Sequence, residues 1–243
     1  MEMMFGLDEH MRSWLEEDVG SGDLTTNAIV GPEMEATGIV HAKDTGVLAG
    51  VSVARRVFEI LEPGISFTEK LADGDELAPG SVIAEVHGTA RAVLTGERLA
   101  LNLLQHMSGV ATRTARLAAI AAPYGARLVD TRKTTPGLRL LDKYAVRVGG
   151  GSNHRLGLYD AMLIKDNHIQ VAGGIREALA RARAYAGHMT KIEIEVEDLA
   201  GVREALAGGA DVIMLDNMAP EMMREAVEVI DHRAVVVASG GIN

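Results

Sequence analysis

The second half of the chain alternates short apolar runs with stretches of helical period. The apolar runs are "ARLVDT", "AMLIKD", "KIEIEVE", "DVIMLD" and "AVVVASGG". Between them lie "LRLLDKYAVRV", "GIREALARARAYAG", "DLAGVREALAGG" and "PEMMREAVEVI". A strand that returns to the same sheet through a helix runs parallel to its predecessor, so this rhythm predicts a parallel sheet or an α/β barrel. Each apolar run ends in polar residues: Asp130, Arg132 and Lys133; Lys165 and Asp166; Glu195 and Glu197; Asp216 and Asn217; Ser239, Gly240 and Gly241. In an α/β barrel the carboxyl ends of the strands face the active site, so these residues are the site candidates. A further helix and strand after Asn243 would complete the pattern, so the barrel reads as incomplete and truncated at that end.

The first hundred residues read as a different α/β unit. Leu7 to Glu17 has the spacing of a short amphipathic helix, followed by Gly22-Asp23 as turn punctuation. "ATGIVHAKDTGVLAG" reads as two strands joined at Asp44-Thr45-Gly46. Val51 to Leu61 is helical and stops before Pro63-Gly64. "ISFTEKL" and "SVIAEVHG" are strands around the turn-rich "ADGDELAPG". Gly96 to Ala122 is a long helix, with a break expected near Ser108-Gly109. We therefore set an N-terminal α/β domain at 1–110 and a parallel-sheet or barrel domain at 111–243.

Composition excludes several classes. No apolar run approaches the ~20 residues of a membrane span, and Met1 to Phe5 lacks the basic start of a signal peptide. With no cysteine there is no disulfide, thiolate nucleophile or cysteine zinc site. A cytoplasmic location is the default expectation. The net charge of -10 argues against a nucleic-acid partner. The charge is uneven, however. Asp130 to His168 holds seven Lys/Arg against four Asp, a net of +3 within an acidic chain. A local anion site is the chemical reading.

The candidate cations are Arg132, Lys133, His154, Arg155 and Lys165; the candidate anions are Glu195 and Asp216. Arginine forks match carboxylates, and lysines meet phosphates as point charges. Two carboxylates suffice for Mg²⁺ when substrate phosphates complete its shell. Glu193, Glu195 and Glu197 share one strand face by period-two spacing, and only Glu195 is taken as functional. Gly149-Gly150-Gly151 reads as a helix end, and Met222-Met223 as core. Asp166, Asn167 and His168 are expected to support the site without entering it.

"EEDVGSGDLTT", "GERLALNLLQHMSGVAT", "DTRKTTPGLRLLDKYAVRVGGGSNHRLGLYDAMLIKDNHI", "IEIEVEDL", "VIMLDNM" and "ASGGI" together resemble the quinolinate phosphoribosyltransferases, type II phosphoribosyltransferases. The resemblance runs in order along nearly the whole chain. It implies that the first domain is sandwich-like and the second an incomplete α/β barrel of about six strands. It implies transfer of phosphoribosyl from phosphoribosyl pyrophosphate (PRPP) to quinolinate with decarboxylation. The products are nicotinate mononucleotide, pyrophosphate and CO₂, in NAD synthesis. It implies that Arg132, Lys133, His154, Arg155 and Lys165 line the quinolinate pocket. Arg98 is implied to reach the neighbouring subunit's site in a homodimer or higher even oligomer. Lys133, Lys165, Glu195 and Asp216 are implied to be catalytic. Glu195 and Asp216 stand near the ribose and Mg²⁺, directly or through the phosphates. The backbone of Ser239, Gly240 and Gly241 is implied to hold the 5′-phosphate, helped in the family by a later glycine-containing strand end.

Rival readings are separable. A relative using a monocarboxylate acceptor such as nicotinate, or the molybdenum-locus paralogue, would need fewer cations. A type I phosphoribosyltransferase needs paired acids after an apolar strand, and "VIMLDNM" has one. A lipoyl-like carrier at 65–90 needs a modifiable lysine at a hairpin tip, and none lies between Lys70 and Lys133.

Overall fold

The computed structural model describes residues 6–241. The readings made above on Met1 to Phe5 and on the chain end at Asn243 lie outside the described residues. The chain divides into two compact units, residues 1–154 and 155–243.

The first unit holds α1 (Leu7–Val19), α2 (Leu24–Ile29), β1 (Glu35–His41), β2 (Gly46–Val47), α3 (Val51–Leu61), β3 (Ser66–Glu69), β4 (Glu76–Leu77), β5 (Val82–Thr89), α4 (Ala90–Ala121) and α5 (Arg139–Val148). β1, β5 and β3 form an antiparallel sheet with β5 in the middle, and β2 pairs with β4. The two strands read in "ATGIVHAKDTGVLAG" therefore exist but belong to different sheets. β1 alternates exposed and half-buried residues along its length, as a one-sided antiparallel strand should. The core between these sheets and the helices is built from Val53, Val57, Phe58, Val86, Leu103 and Met107 among others.

α4 is continuous over 32 residues, so the break expected near Ser108-Gly109 does not occur. Gly109 lies on the exposed side, where it costs helix propensity without forcing a kink. The Ser108 hydroxyl accepts the amide of Ala49, which docks the helix on the α3 approach. The triple glycine after α5 ends that helix, with Gly149 as its C-cap. It also permits close packing on α4: a Cβ at Gly149 would lie 2.3 Å from the Ala111 carbonyl oxygen. Asp73 caps the start of α3 by accepting from Gly50 and Val51 N–H, and it also accepts the Tyr144 hydroxyl of α5. Burial, and then that carboxylate, push the Tyr144 phenol above its usual range.

"ARLVDT" does not form a strand. It contributes a single parallel bridge, Val129 to Ser152. The run is short and largely exposed, with Ala126, Arg127 and Val129 all facing solvent, so it offers too little apolar face to anchor a ladder.

The second unit contains β6 (Met162–Ile164), α6 (Asp166–Ala172), α7 (Ile175–Tyr185), β7 (Ile192–Val196), α8 (Leu199–Ala207), β8 (Val212–Asp216), α9 (Pro220–Ile230) and β9 (Val235–Ser239). The four strands are parallel and in sequence order, β6-β7-β8-β9. The α/β architecture expected for an incomplete barrel is present; among the described residues of this unit four parallel strands pair, against about six expected. Ile164, Ile192, Ile194, Val196, Ile213 and Leu215 form one apolar core with Leu179, Val202, Ala226 and Ile230 of the helices. Met222 and Met223 pack against that core, as read from the sequence.

Candidate active site

Register decides which side chains share a face in the second unit. Leu163 pairs with Glu193, Glu195 with Met214, Met214 with Val237, and Asp216 with Ser239. By period-two alternation, one face carries the isoleucines that meet the helices. The opposite face carries Leu163, Glu193, Glu195, Met214, Asp216 and Ser239. Lys165 follows β6 in extended conformation and so continues this second face. Its ammonium donates to Glu195 Oε1 at 2.7 Å, with the carboxylate side chain 15% exposed and the lysine 45%. Four candidate residues, Lys165, Glu195, Asp216 and Ser239, thus stand at the carboxyl ends of adjacent strands on one face. Glu193 is buried one layer below, and Glu197 is exposed beyond the strand end.

The loop after β8 is closed by tight backbone contacts. The Asn217 amide N–H donates to the Ser239 carbonyl, and its side-chain amide donates to Asp216 Oδ2 at 2.8 Å. Asn217 has φ 53, and Gly240 and Gly241 have φ 75 and 61. A Cβ at Gly240 would sit 2.3 Å from Asn217 Oδ1 and 2.8 Å from its backbone nitrogen. Only glycine fits there, which accounts for half of the "SGG" signal. Asn217 was read only as a polar strand end; its role in holding Asp216 is visible once β8 and β9 are paired.

Lys165 also serves as N-cap of α6, and its amide N–H donates to the His168 ring Nδ1 at 2.9 Å. α6 was not expected from the sequence. His168 orients the backbone that carries Lys165, and Asp166 and Asn167 are exposed in the first turn of that helix. Arg155 donates to the Ala161 carbonyl, and Asp160 accepts from the amides of Leu156 and Gly157, closing the loop between them.

In the first unit, Arg132 and Lys133 lie in the irregular segment between the Val129 bridge and α5. Arg132 Nε is buried and meets no acceptor among the described residues. Lys133 is exposed, and its backbone amide is held by the Thr131 hydroxyl. Beneath them is a buried ion pair that the sequence reading did not single out. Lys143 Nζ donates to Asp130 Oδ1 at 2.5 Å and to the His154 carbonyl at 3.0 Å. Asp130 also accepts the His154 amide and the Asn153 side chain. The pair is 5% and 9% exposed, so it fixes His154 and the base of the Arg132 loop in one network.

Arg98 is exposed on α4, and no acceptor meets its guanidinium among the described residues. No group of three or more His, Cys, Asp or Glu that could hold a metal ion occurs among the described residues. No described helix is long and apolar enough to cross a membrane.

Comparison with known proteins identifies the family. The family profile described as Quinolinate phosphoribosyl transferase, N-terminal domain, matches residues 23–108, and that of the C-terminal domain matches residues 110–243. The chain is 48% identical over 226 residues to the probable nicotinate-nucleotide pyrophosphorylase [carboxylating] of Bacillus subtilis, covering 93% of this chain and 78% of that one. It is 38% identical to a mitochondrial quinolinate phosphoribosyltransferase [decarboxylating] of Nicotiana tabacum, over 98% of this chain and 73% of that one. The crystal structure of NadC from Streptococcus pyogenes matches with a TM-score of 0.96 at 45% identity, covering 100% of this chain and 86% of that one. With both domain profiles matched in order and relatives this similar over most of their length, the chain belongs to the quinolinate phosphoribosyltransferase family.

Proposed function

We propose that the chain carries out this family's reaction with the residues at its strand carboxyl ends and in the Arg132 loop. Phosphoribosyl passes from PRPP to the ring nitrogen of quinolinate. The C–O bond to pyrophosphate breaks as the C–N bond forms, and the C2 carboxylate then leaves as CO₂. The electron pair left at C2 lies beside a cationic ring nitrogen and takes up a proton. Much of the chemistry resides in the substrates, so the protein's share is binding and orientation, which can be worth ~7–11 kcal/mol of barrier.

The observation that carries the reading is the shared face of Lys165, Glu195, Asp216 and Ser239. The ammonium of Lys165 suits a substrate carboxylate. The carboxylates of Glu195 and Asp216 suit the positive charge that develops on the ribose as pyrophosphate departs. In the first unit, the buried Nε of Arg132 is a donor whose natural acceptor is an anion. We assign Arg132, Lys133, His154, Arg155 and Lys165 to quinolinate, and the backbone of Ser239, Gly240 and Gly241 to the 5′-phosphate. The exposed Arg98 is assigned to the site of a second copy, in a homodimer.

Mg²⁺ is part of the proposal. Glu195 and Asp216 occupy diagonal positions on adjacent strands of one face. They offer one carboxylate each, and no larger donor cluster occurs among the described residues. That donor set fits a cation carried mainly by diphosphate oxygens and waters. When bound, the cation would neutralise the departing pyrophosphate.

The test is stoichiometric. With PRPP, Mg²⁺ and quinolinate labelled in its C2 carboxylate, labelled CO₂, pyrophosphate and nicotinate mononucleotide should appear in equal amounts. Pyrophosphate release without CO₂, or with nicotinate as the better acceptor, would contradict the assignment.

A further inference from the structure

We infer that His106 is a positioning residue for the cationic loop, acting through Asp142. The inference rests on the reading of Arg132 and Lys133 as substrate-binding groups. His106 lies on α4, and its Nε2 is 2.5 Å from Asp142 Oδ1 on α5. The other oxygen of that carboxylate accepts the backbone N–H of Thr135 at 2.9 Å. Thr135 is two residues beyond Lys133 and three beyond Arg132. Asp142 therefore spans from a long helix to the middle of the loop that carries both cations.

The loop has few other restraints there. The Thr131 hydroxyl accepts the Lys133 amide, and the Thr134 hydroxyl accepts from Arg139. Both are local contacts that a moving loop would carry along. Asp130, held by Lys143, fixes the entry, and the start of α5 fixes the exit. Asp142 ties the middle of the loop to α5 and, through His106, to the long helix α4. Its side chain is 11% exposed and that of His106 31%. A carboxylate this enclosed needs donors on both oxygens, and the His106 N–H supplies the second. The pair also faces a cavity of about 260 Å³ that is lined by Asp130, Thr131, Lys133, Thr135 and Lys143. The brace and the Lys133 side of the loop thus meet one space. Without the His106 donor, Asp142 is free to turn toward the Lys143 ammonium across that cavity, and the Thr135 tether loosens.

His106 does not touch the reacting atoms in this scheme, so its loss should alter binding more than turnover. Glutamine can place an amide donor where Nε2 stands; leucine fills the space without donating, and asparagine is too short to reach. We expect the full-length His106→Leu and His106→Asn proteins to show faster hydrogen exchange at the Thr135 amide, measured without substrate. We expect their KM for quinolinate to rise ~10-fold or more, the loss typical of a hydrogen bond to a charged group, with kcat within about twofold. His106→Gln should restore both readouts. Should leucine fail to give folded protein, the glutamine and asparagine pair carries the comparison. Unchanged Thr135 exchange would overturn the inference, as would equal defects in the glutamine and asparagine variants. Faster exchange with an unchanged KM would overturn the functional half, while the roles of Arg132 and Lys133 would stand or fall on their own variants.

Discussion

The Lys165–Glu195 contact joins residues assigned to different substrates. Lys165 is assigned to the acceptor and Glu195 to the phosphoribosyl donor, yet their side chains are 2.7 Å apart. An ammonium held by a carboxylate is positioned, and it can still offer its remaining N–H donors to quinolinate. Quinolinate is a dianion, so direct contact with Glu195 or Asp216 would be repulsive. We expect Glu195→Gln and Asp216→Asn to leave quinolinate affinity within a few-fold of wild type and to lower turnover by ~10²–10³, the usual loss for one preorganised electrostatic group. Calorimetry, steady-state rates and melting temperature on each variant check this. A large fall in melting temperature with proportionate loss of binding and turnover would show that both residues only brace the sheet. The candidates Lys165, Glu195, Asp216 and Ser239 were readable as polar residues after apolar runs, because strand carboxyl ends and their polar residues are local features of sequence. The Lys143–Asp130 and His106–Asp142 pairs were not readable. Each joins residues 13 and 36 positions apart, and no local pattern announces such partners.

Among the elements, the parallel sheet was legible and the Arg132 strand was not. β6, β8 and β9 are mostly apolar and β7 alternates apolar residues with Glu193 and Glu195; in all four the apolar face that meets the helices writes itself into the sequence. "ARLVDT" has the same apolar middle but an exposed flank, so only one bridge forms. α6 was missed because "DNHIQVA" is one short helix started by a side-chain contact, Lys165 to His168, and not by hydrophobic period. At the amino ends of the strands the polar residues work for stability. Asp211 precedes β8 and accepts from the Ile192 amide and the Arg183 guanidinium, at 2.8 and 2.9 Å. Burial opposes its ionisation, but these two donors outweigh burial and hold its carboxyl below the usual range. A depressed carboxyl stabilises the fold above its unfolded pKa, and the contribution fades as pH falls through the folded value. We expect Asp211→Asn to melt ~2–4 °C below wild type at neutral pH, the shift of about 1 kcal/mol in a chain this size. The gap should shrink as pH falls below ~4, and a gap independent of pH would remove the carboxylate from this role. Activity should be retained in the folded variant, because Asp211 lies at the opposite end of the strands from Glu195 and Asp216.

For the whole molecule, the central claim is that the chain's cations select an acceptor with two carboxylates. One of these cations, Arg98, is assigned to a partner's site because it is exposed and meets no acceptor in its own described chain. A two-fold dimer would exchange such residues symmetrically. Mixing inactive Arg98→Ala protein with inactive Arg132→Ala protein should then restore partial activity, since some hybrid dimers contain one intact site. No recovery after verified subunit exchange would remove Arg98 from the shared site. The most direct measurement is isothermal titration of the unmodified protein with quinolinate and with nicotinate, repeated on Arg132→Ala. Each charge-assisted hydrogen bond is worth ~1.5–3 kcal/mol, so quinolinate should bind at least ~10-fold more tightly than nicotinate. Arg132→Ala should erase most of that difference. Equal or tighter binding of nicotinate to the unmodified protein would contradict the account.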